Sequence, residues 1–254
     1  FAASSRGTGE LIRAALDAGA SRLVVGLGGS ASTDGGAGAL SALGLLLIDE
    51  QHEPVPDGGG RLREVIAVDR SDFVAPPPGG VVLLTDVTAP LLGPTGAAAV
   101  FGPQKGATAE QVVHLEAALA HFARILPGDP SQPGAGAAGG AGYGFAAAWG
   151  ARIEPGADYL ARLSGLTTAI ATADVLVTGE GHFDAQSLRG KVVGHVLALA
   201  GDTRVGVIAG QVSVDADVWT ASLTELAGST DAAMSDPERW LRRAGAKAAA
   251  DLGR

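Results

Sequence analysis

A chain of 254 residues, 46% of them hydrophobic, is globular and long enough to bury a core as one large domain or two smaller ones. The net charge of −9 argues against a nucleic-acid or anionic-membrane surface, because those surfaces use clustered Lys and Arg to neutralise phosphate. Without cysteine there are no disulfides or thiolate zinc ligands; the first ten residues show no basic-then-apolar signal pattern and no apolar run reaches membrane-span length, so a cytoplasmic protein is expected.

The first predicted helix runs from Thr8, as N-cap, to Ala18, with Leu11, Ile12, Ala15 and Leu16 facing inward and Gly19 as its stop. Leu23-Val24-Val25 then has the length and β-branched content of a buried strand. It enters a loop of Gly, Ser and Thr that runs into a helix from Ala37. Residues 45–49 and 62–68 read as a hairpin or paired edge strands. Val81 to Thr85 is another buried strand, ending on Asp86. Thr108 and Gln111 form a capping-box pattern for a helix with Val112, Leu115, Leu119 and Phe122 as one stripe. A Gly/Ala run becomes a closely packed helix by Ala141 to Trp149. A helix over about 157–172, a strand over 174–178, an acidic loop over 179–190 and a helix from Lys191 follow. Arg204 to Ala209 is a further strand, and Asp236 before Pro237 caps a last helix carrying Trp240, Leu241, Ala244 and Ala248 inward. Strand and helix alternate, which predicts an α/β protein with mostly parallel sheets.

In open parallel sheets ligands gather beyond the carboxyl ends of the strands. Three strands here end in suitable loops: Val25 before Gly28 to Gly36, Thr85 before Asp86, and Thr178 before Glu180 and Asp184. Glycines let backbone N–H groups approach an anion, and the helix start after Gly36 adds partial positive charge. Read alone, Asp34 is a turn former, Lys105 and Lys191 are surface lysines, and Gly134 to Gly140 is a spacer. Asp86 is as readily a turn residue as a ligand.

The stretch GGSASTDGGAGALSALG resembles the signature of the type I glycerate kinase family. Thr85-Asp86-Val87 with Pro90, Leu91 and Gly93, then Phe101 to Ala107, Gly134 to Gly140, and Thr178 to Gly181 with Asp184, Gln186, Gly190 and Lys191 follow in the family's order. The resemblance implies a two-lobed fold, with residues 1–155 as the lobe of the Gly-rich loop and 156–254 as a partial, Rossmann- or flavodoxin-like lobe. It also implies that a segment bearing Ser-Phe-Lys and Asp-Gly-Gly-Glu motifs precedes Phe1 in relatives, so that this chain is a truncated member. The implied activity is transfer of the ATP γ-phosphoryl group to a hydroxyl of D-glycerate, with Mg²⁺, in a monomer or homodimer; the 2-phospho isomer is the favoured product.

For that chemistry Asp86, Glu180 and Asp184 are the candidates for metal binding and for accepting the hydroxyl proton. Lys191, and Lys105 second, are candidates for a phosphate or the glycerate carboxylate. Gly28, Gly29, Ser30, Ser32, Thr33, Asp34 and Gly35, with Gly179 and Gly181, complete the binding set. Which loop takes nucleotide and which takes glycerate stays open at this level. A rival is a dinucleotide-binding oxidoreductase, since Gly26 to Ala31 fits GxGxxA after a strand and Asp49 lies near the ribose-binding distance. Against it, Gly35, Gly36 and Gly38 would weaken the required helix by about 1 kcal/mol each. A second rival is a small-molecule-binding module without turnover.

Overall fold

In the computed structural model, which describes residues 1–189 and 192–253, residues Phe1–Gly156 form one unit and Ala157–Arg254 a second. The first unit holds β1 (Leu23–Gly26), β2 (Leu46–Ile48), β3 (Ala67–Asp69), β4 (Val81–Leu84) and β5 (Arg152–Glu154). The apolar runs of β1 and β4 pair in parallel, Leu23 beside Val81 through Gly26 beside Leu84, and β5 adds in parallel on the far side of β4. Val81, Val82 and Leu83 are buried together, as expected of a central strand covered on both faces. The β2 and β3 strands form a separate antiparallel pair, with Leu47 opposite Val68. Only the end of the expected 62–68 strand survives: Gly59–Glu64 is a 3-10 helix that buries Leu62.

The first helix is Arg6–Asp17, so Ser5 and not Thr8 stands at its N-cap. The Arg6 N–H bonds Ser4 Oγ and the Thr8 N–H bonds the Ser5 carbonyl, which starts the helix a turn earlier than expected. Leu11 is also on the solvent side. The inner face is set by Ile12 and Gly9, because a Cβ on Gly9 would lie 2.2 Å from the Ala39 carbonyl oxygen. Only glycine permits that approach to the helix Ala37–Ala42. The helix Ala109–Ile125 has the expected capping box between Thr108 and Gln111, and it buries Leu115, Leu119 and Phe122. Tyr143 and Phe145, on the helical stretch Ala137–Trp149 beyond its kink at residues 138–140, complete this Leu- and Ala-rich core.

The second unit contains β6 (Val175–Phe183), β7 (Arg204–Val212) and β8 (Trp219–Ser222), all parallel, in the order β6-β7-β8. The helix expected over 157–172 is broken by left-handed Gly165 into Gly156–Leu163 and Leu166–Ala171. Residues 179–183 continue the strand and are not loop, since Gly179 and Glu180 pair with Ile208 and Ala209. Glycine is required in this ladder: a Cβ on Gly179 would sit 2.3 Å from the Ile208 carbonyl oxygen. Asp236 caps the helix Pro237–Leu252 through the Arg239 N–H; Ala244 and Ala248 are buried, but Leu241 faces solvent. Among the described residues, no helix is long and apolar enough to cross a membrane.

Candidate active site

Because Gly26 pairs with Leu84, the chain leaves β1 and β4 at the same rim of one sheet. The Leu27 N–H still bonds the Leu84 carbonyl, and the ladder ends there. Over the next four residues, Gly28, Gly29, Ser30 and Ala31, no backbone N–H finds an acceptor among the described residues. These residues wall a cavity of about 250 Å³, which Ser5, Thr8 and Ala138 close from other segments. A run of unused amides lining a small cavity is an arrangement that can receive an oxyanion.

The helix after this loop does not add its N-terminus to the cradle as expected. Asp34 is fully buried and its carboxylate already occupies that position. Its Oδ2 accepts from the Ser5 N–H and hydroxyl, both at 2.8 Å, and from the Gly38 N–H at 3.2 Å. Its Oδ1 accepts from the Gly36 N–H at 3.2 Å. The Ala39 N–H is taken by Ser5 Oγ at 3.0 Å. The first turn of the Ala37–Ala42 helix is therefore satisfied from inside, and Asp34 shapes the loop from within.

Lys105 also acts on this loop. It ends a short 3-10 turn, Pro103–Lys105, and its ammonium donates to Ser30 Oγ and to the Ser32 carbonyl, each at 2.7 Å. Burial pushes this lysine below its ordinary pKa, while the Asp34 charge opposes the shift. Ser32 is buried and lines the cavity; Thr33 is buried outside it.

Residues 134–140 are a packed support and not a spacer. Ala138, Gly139 and Gly140 are consecutive left-handed residues, and the Gly139 carbonyl accepts the Gly35 N–H at 3.0 Å. A Cβ on Gly139 would lie 2.1 Å from the Ser32 carbonyl oxygen, so glycine is demanded by contact as well as by φ. The Gly136 N–H bonds the Ala89 carbonyl, and the Leu91 N–H bonds that of Pro130. Four of the five motif stretches are thus joined by hydrogen bonds, and two of them, the Gly-rich loop and residues 134–140, line the cavity.

Asp86 follows β4 as an exposed carboxylate, and its Oδ1 accepts the Gly156 N–H at 3.1 Å. A magnesium ion bound with nucleotide needs only one or two carboxylates beside phosphate oxygens and water, and Asp86 suits that donor set. Among the described residues there is no cluster of three His, Asp or Glu side chains that would hold a metal ion alone. Gly179, Glu180, Gly181 and Asp184 belong to the second unit. There Asp184 Oδ1 accepts from the Gln186 N–H at 2.8 Å and the Ser187 N–H at 3.1 Å, fixing the turn after β6. Lys191 lies outside the described residues.

The geometry bears on the dinucleotide reading as well. Five residues lie between Ala31 and the first helical residue, Ala37, whereas that fingerprint requires a helix starting on the loop. Asp49 accepts the Gln51 and Glu53 N–H groups, each at 2.9 Å, and so closes its own turn. Sequence reasoning missed Ser5, Thr8 and Ala138. Ser4-Ser5 reads only as a helix start, and nothing local announces a partner twenty-nine residues away.

The model of the glycerate kinase family matches residues 1–253. An uncharacterized protein of Mycobacterium bovis is 44% identical over all of this chain and 64% of its own length. The glycerate kinase of Haemophilus influenzae is 43% identical over 74% of this chain and 51% of its own length, and the glycerate 2-kinase of Escherichia coli is 40% identical over similar shares. A crystal structure assigned as glycerate kinase 2 from Salmonella typhimurium LT2 superposes with a TM-score of 0.77 and 36% identity, over 97% of this chain and 70% of that one. The chain thus spans between half and two thirds of the length of these curated relatives, and across its own length it belongs to the glycerate kinase family.

Proposed function

We propose that the protein transfers the γ-phosphoryl group of ATP to a hydroxyl of D-glycerate, and that the Gly28–Ala31 amides hold an oxyanion of one of the two reactants. The observation that carries this reading is that Gly28–Ala31, whose backbone N–H groups have no acceptor among the described residues, line a cavity at the end of β1. Such preorganised donors lower the cost of concentrating negative charge because they need no reorientation when the charge arrives. Asp86 would hold the magnesium ion that accompanies the nucleotide and neutralises phosphate charge when bound. The walls contributed by Ser5, Thr8 and Ala138 limit the water that competes with glycerate as acceptor. The name of the E. coli relative favours the 2-phospho product. In the second unit, Glu180 and Asp184 are proposed as further metal ligands. Asp184→Asn is expected to lower turnover more than folding stability.

The test is ADP formation from MgATP with and without D-glycerate, with the product isomer read by ³¹P NMR. Glycerate-dependent ADP and a 2-phosphoglycerate signal support the proposal. Binding of ATP or D-glycerate without turnover would leave an anion-binding module, and reduction or oxidation of an added nicotinamide dinucleotide would replace the proposal with an oxidoreductase.

A further inference from the structure

Ser30 and Lys105 are seventy-five residues apart and meet at the back of the cradle. A lysine ammonium has only donors, so the direction of the 2.7 Å contact is settled: Ser30 Oγ accepts. The hydroxyl proton of Ser30 must then point away from Lys105, and it has no acceptor among the described residues. Ser30 lines the cavity, whereas Lys105 is not among the residues that do. The second 2.7 Å bond, to the Ser32 carbonyl, holds the loop on the other side of Ala31.

We propose that Lys105 is a positioning residue that acts through Ser30: by occupying the acceptor side of Ser30 Oγ and pinning the Ser32 carbonyl, it turns the Ser30 hydroxyl into a fixed donor for an oxyanion in the cavity. A hydroxyl whose oxygen already accepts from a cation is a stronger donor, since chained hydrogen bonds polarise one another. The lysine therefore reaches the ligand indirectly, and its charge stays behind the loop. The ligand chemistry is a carboxylate or a phosphoryl oxygen. This inference rests on the reading of the cradle as a substrate-anion site, but it does not require that turnover occur.

The experiment is a double-mutant cycle on the whole chain, with Ser30→Ala, Lys105→Met and the pair. Affinities for D-glycerate and for ATP with Mg²⁺ are measured separately by calorimetry, so that the two arms identify which reactant supplies the oxyanion. Each single change is expected to weaken one and the same ligand by about tenfold, the loss typical of a hydrogen bond to a charged group. The pair is expected to weaken it little beyond Lys105→Met alone, and Ser30→Thr, which keeps the hydroxyl, is expected to bind normally. Urea midpoints report whether each variant is folded; if Lys105→Met is not, Lys105→Gln takes its place and keeps a donor for the Ser32 carbonyl. Losses that multiply would put the ammonium directly on the ligand and overturn the proposal, as would unchanged affinity in Lys105→Met. Coupled losses in a chain that forms no phosphoglycerate would uphold this inference while refuting the kinase reading. Multiplying losses in an active chain would do the reverse.

Discussion

The Ser5 hydroxyl and the Asp34 carboxylate meet at 2.8 Å, and through that contact the start of the first helix is tied to the loop that walls the cavity. Asp34 has no solvent exposure, yet both its oxygens are bonded, so a buried charge that would otherwise be costly organises four donors at once. Asp34→Asn keeps the shape but turns an NH₂ group toward N–H and O–H donors. The expected loss is about 3 kcal/mol of stability in urea unfolding, with weaker binding of the cradle's ligand. Loss below about 0.5 kcal/mol, the range of an ordinary surface change, would show that the carboxylate is not the organising group.

Two glycines separate backbone conformation from contact. Gly150 is left-handed at φ +65° and a Cβ there meets nothing within 4 Å, so Gly150→Ala should cost about 1 kcal/mol. Gly139 has nearly the same φ, +68°, but its Cβ would strike the Ser32 carbonyl oxygen. Gly139→Ala should cost about 3 kcal/mol, the conformational term plus overpacking. Thermal unfolding of the two variants side by side checks the difference.

The pH dependence of binding follows from Lys105. Burial holds it below the ordinary lysine range, and of the charged groups it is Asp34 that acts against this shift. Ligand affinity should fall as pH rises through that depressed value, because the proton lost belongs to the ammonium that fixes Ser30. Folding stability has the opposite sign in this window: the unfolded chain binds more protons there, so the Lys105 contribution rises with pH. Calorimetry across alkaline pH should show the fall in wild type and its absence in Lys105→Arg, whose side chain stays protonated.

Arg6 and Asp57 form a two-pronged pair at 2.7 Å that holds the segment carrying Ser4 and Ser5. The bond from Arg6 keeps the Asp57 carboxyl below its usual range against the opposing effect of burial, with Ser4 assisting. This contribution is complete above the ordinary carboxylate pKa and is lost as pH falls through the depressed value. Because the pair is largely solvated, Asp57→Asn should cost about 1 kcal/mol at neutral pH and nearly nothing in strong acid. Urea midpoints at the two pH values test it.

The alternation of strand and helix, the capping box at Thr108, the cap at Asp236, and the parallel β1 and β4 runs were legible because local pattern and propensity agree with the fold there. Residues 179–183 were misread because glycines signal turns in isolation, while here Gly179 clears the Ile208 carbonyl of β7. Leu11 and Leu241 were misassigned because small residues, Gly9 and Ala244, set the buried helix faces. The small-residue loop after β1 was legible as a separate element between strand and helix, but the inward role of Asp34 was not. Its partner Ser5 is joined to it only by the tertiary fold.

The central claim is that an oxyanion of a reactant sits on the Gly28–Ala31 amides. The most direct measurement is an amide NMR titration of the ¹⁵N-labelled chain with D-glycerate and, separately, with ATP and Mg²⁺. The amide resonances of Gly28, Gly29, Ser30 and Ala31 should move first and furthest with one of the two. Saturable shifts confined to residues away from this loop, with those four amides unmoved by either ligand, would contradict the account.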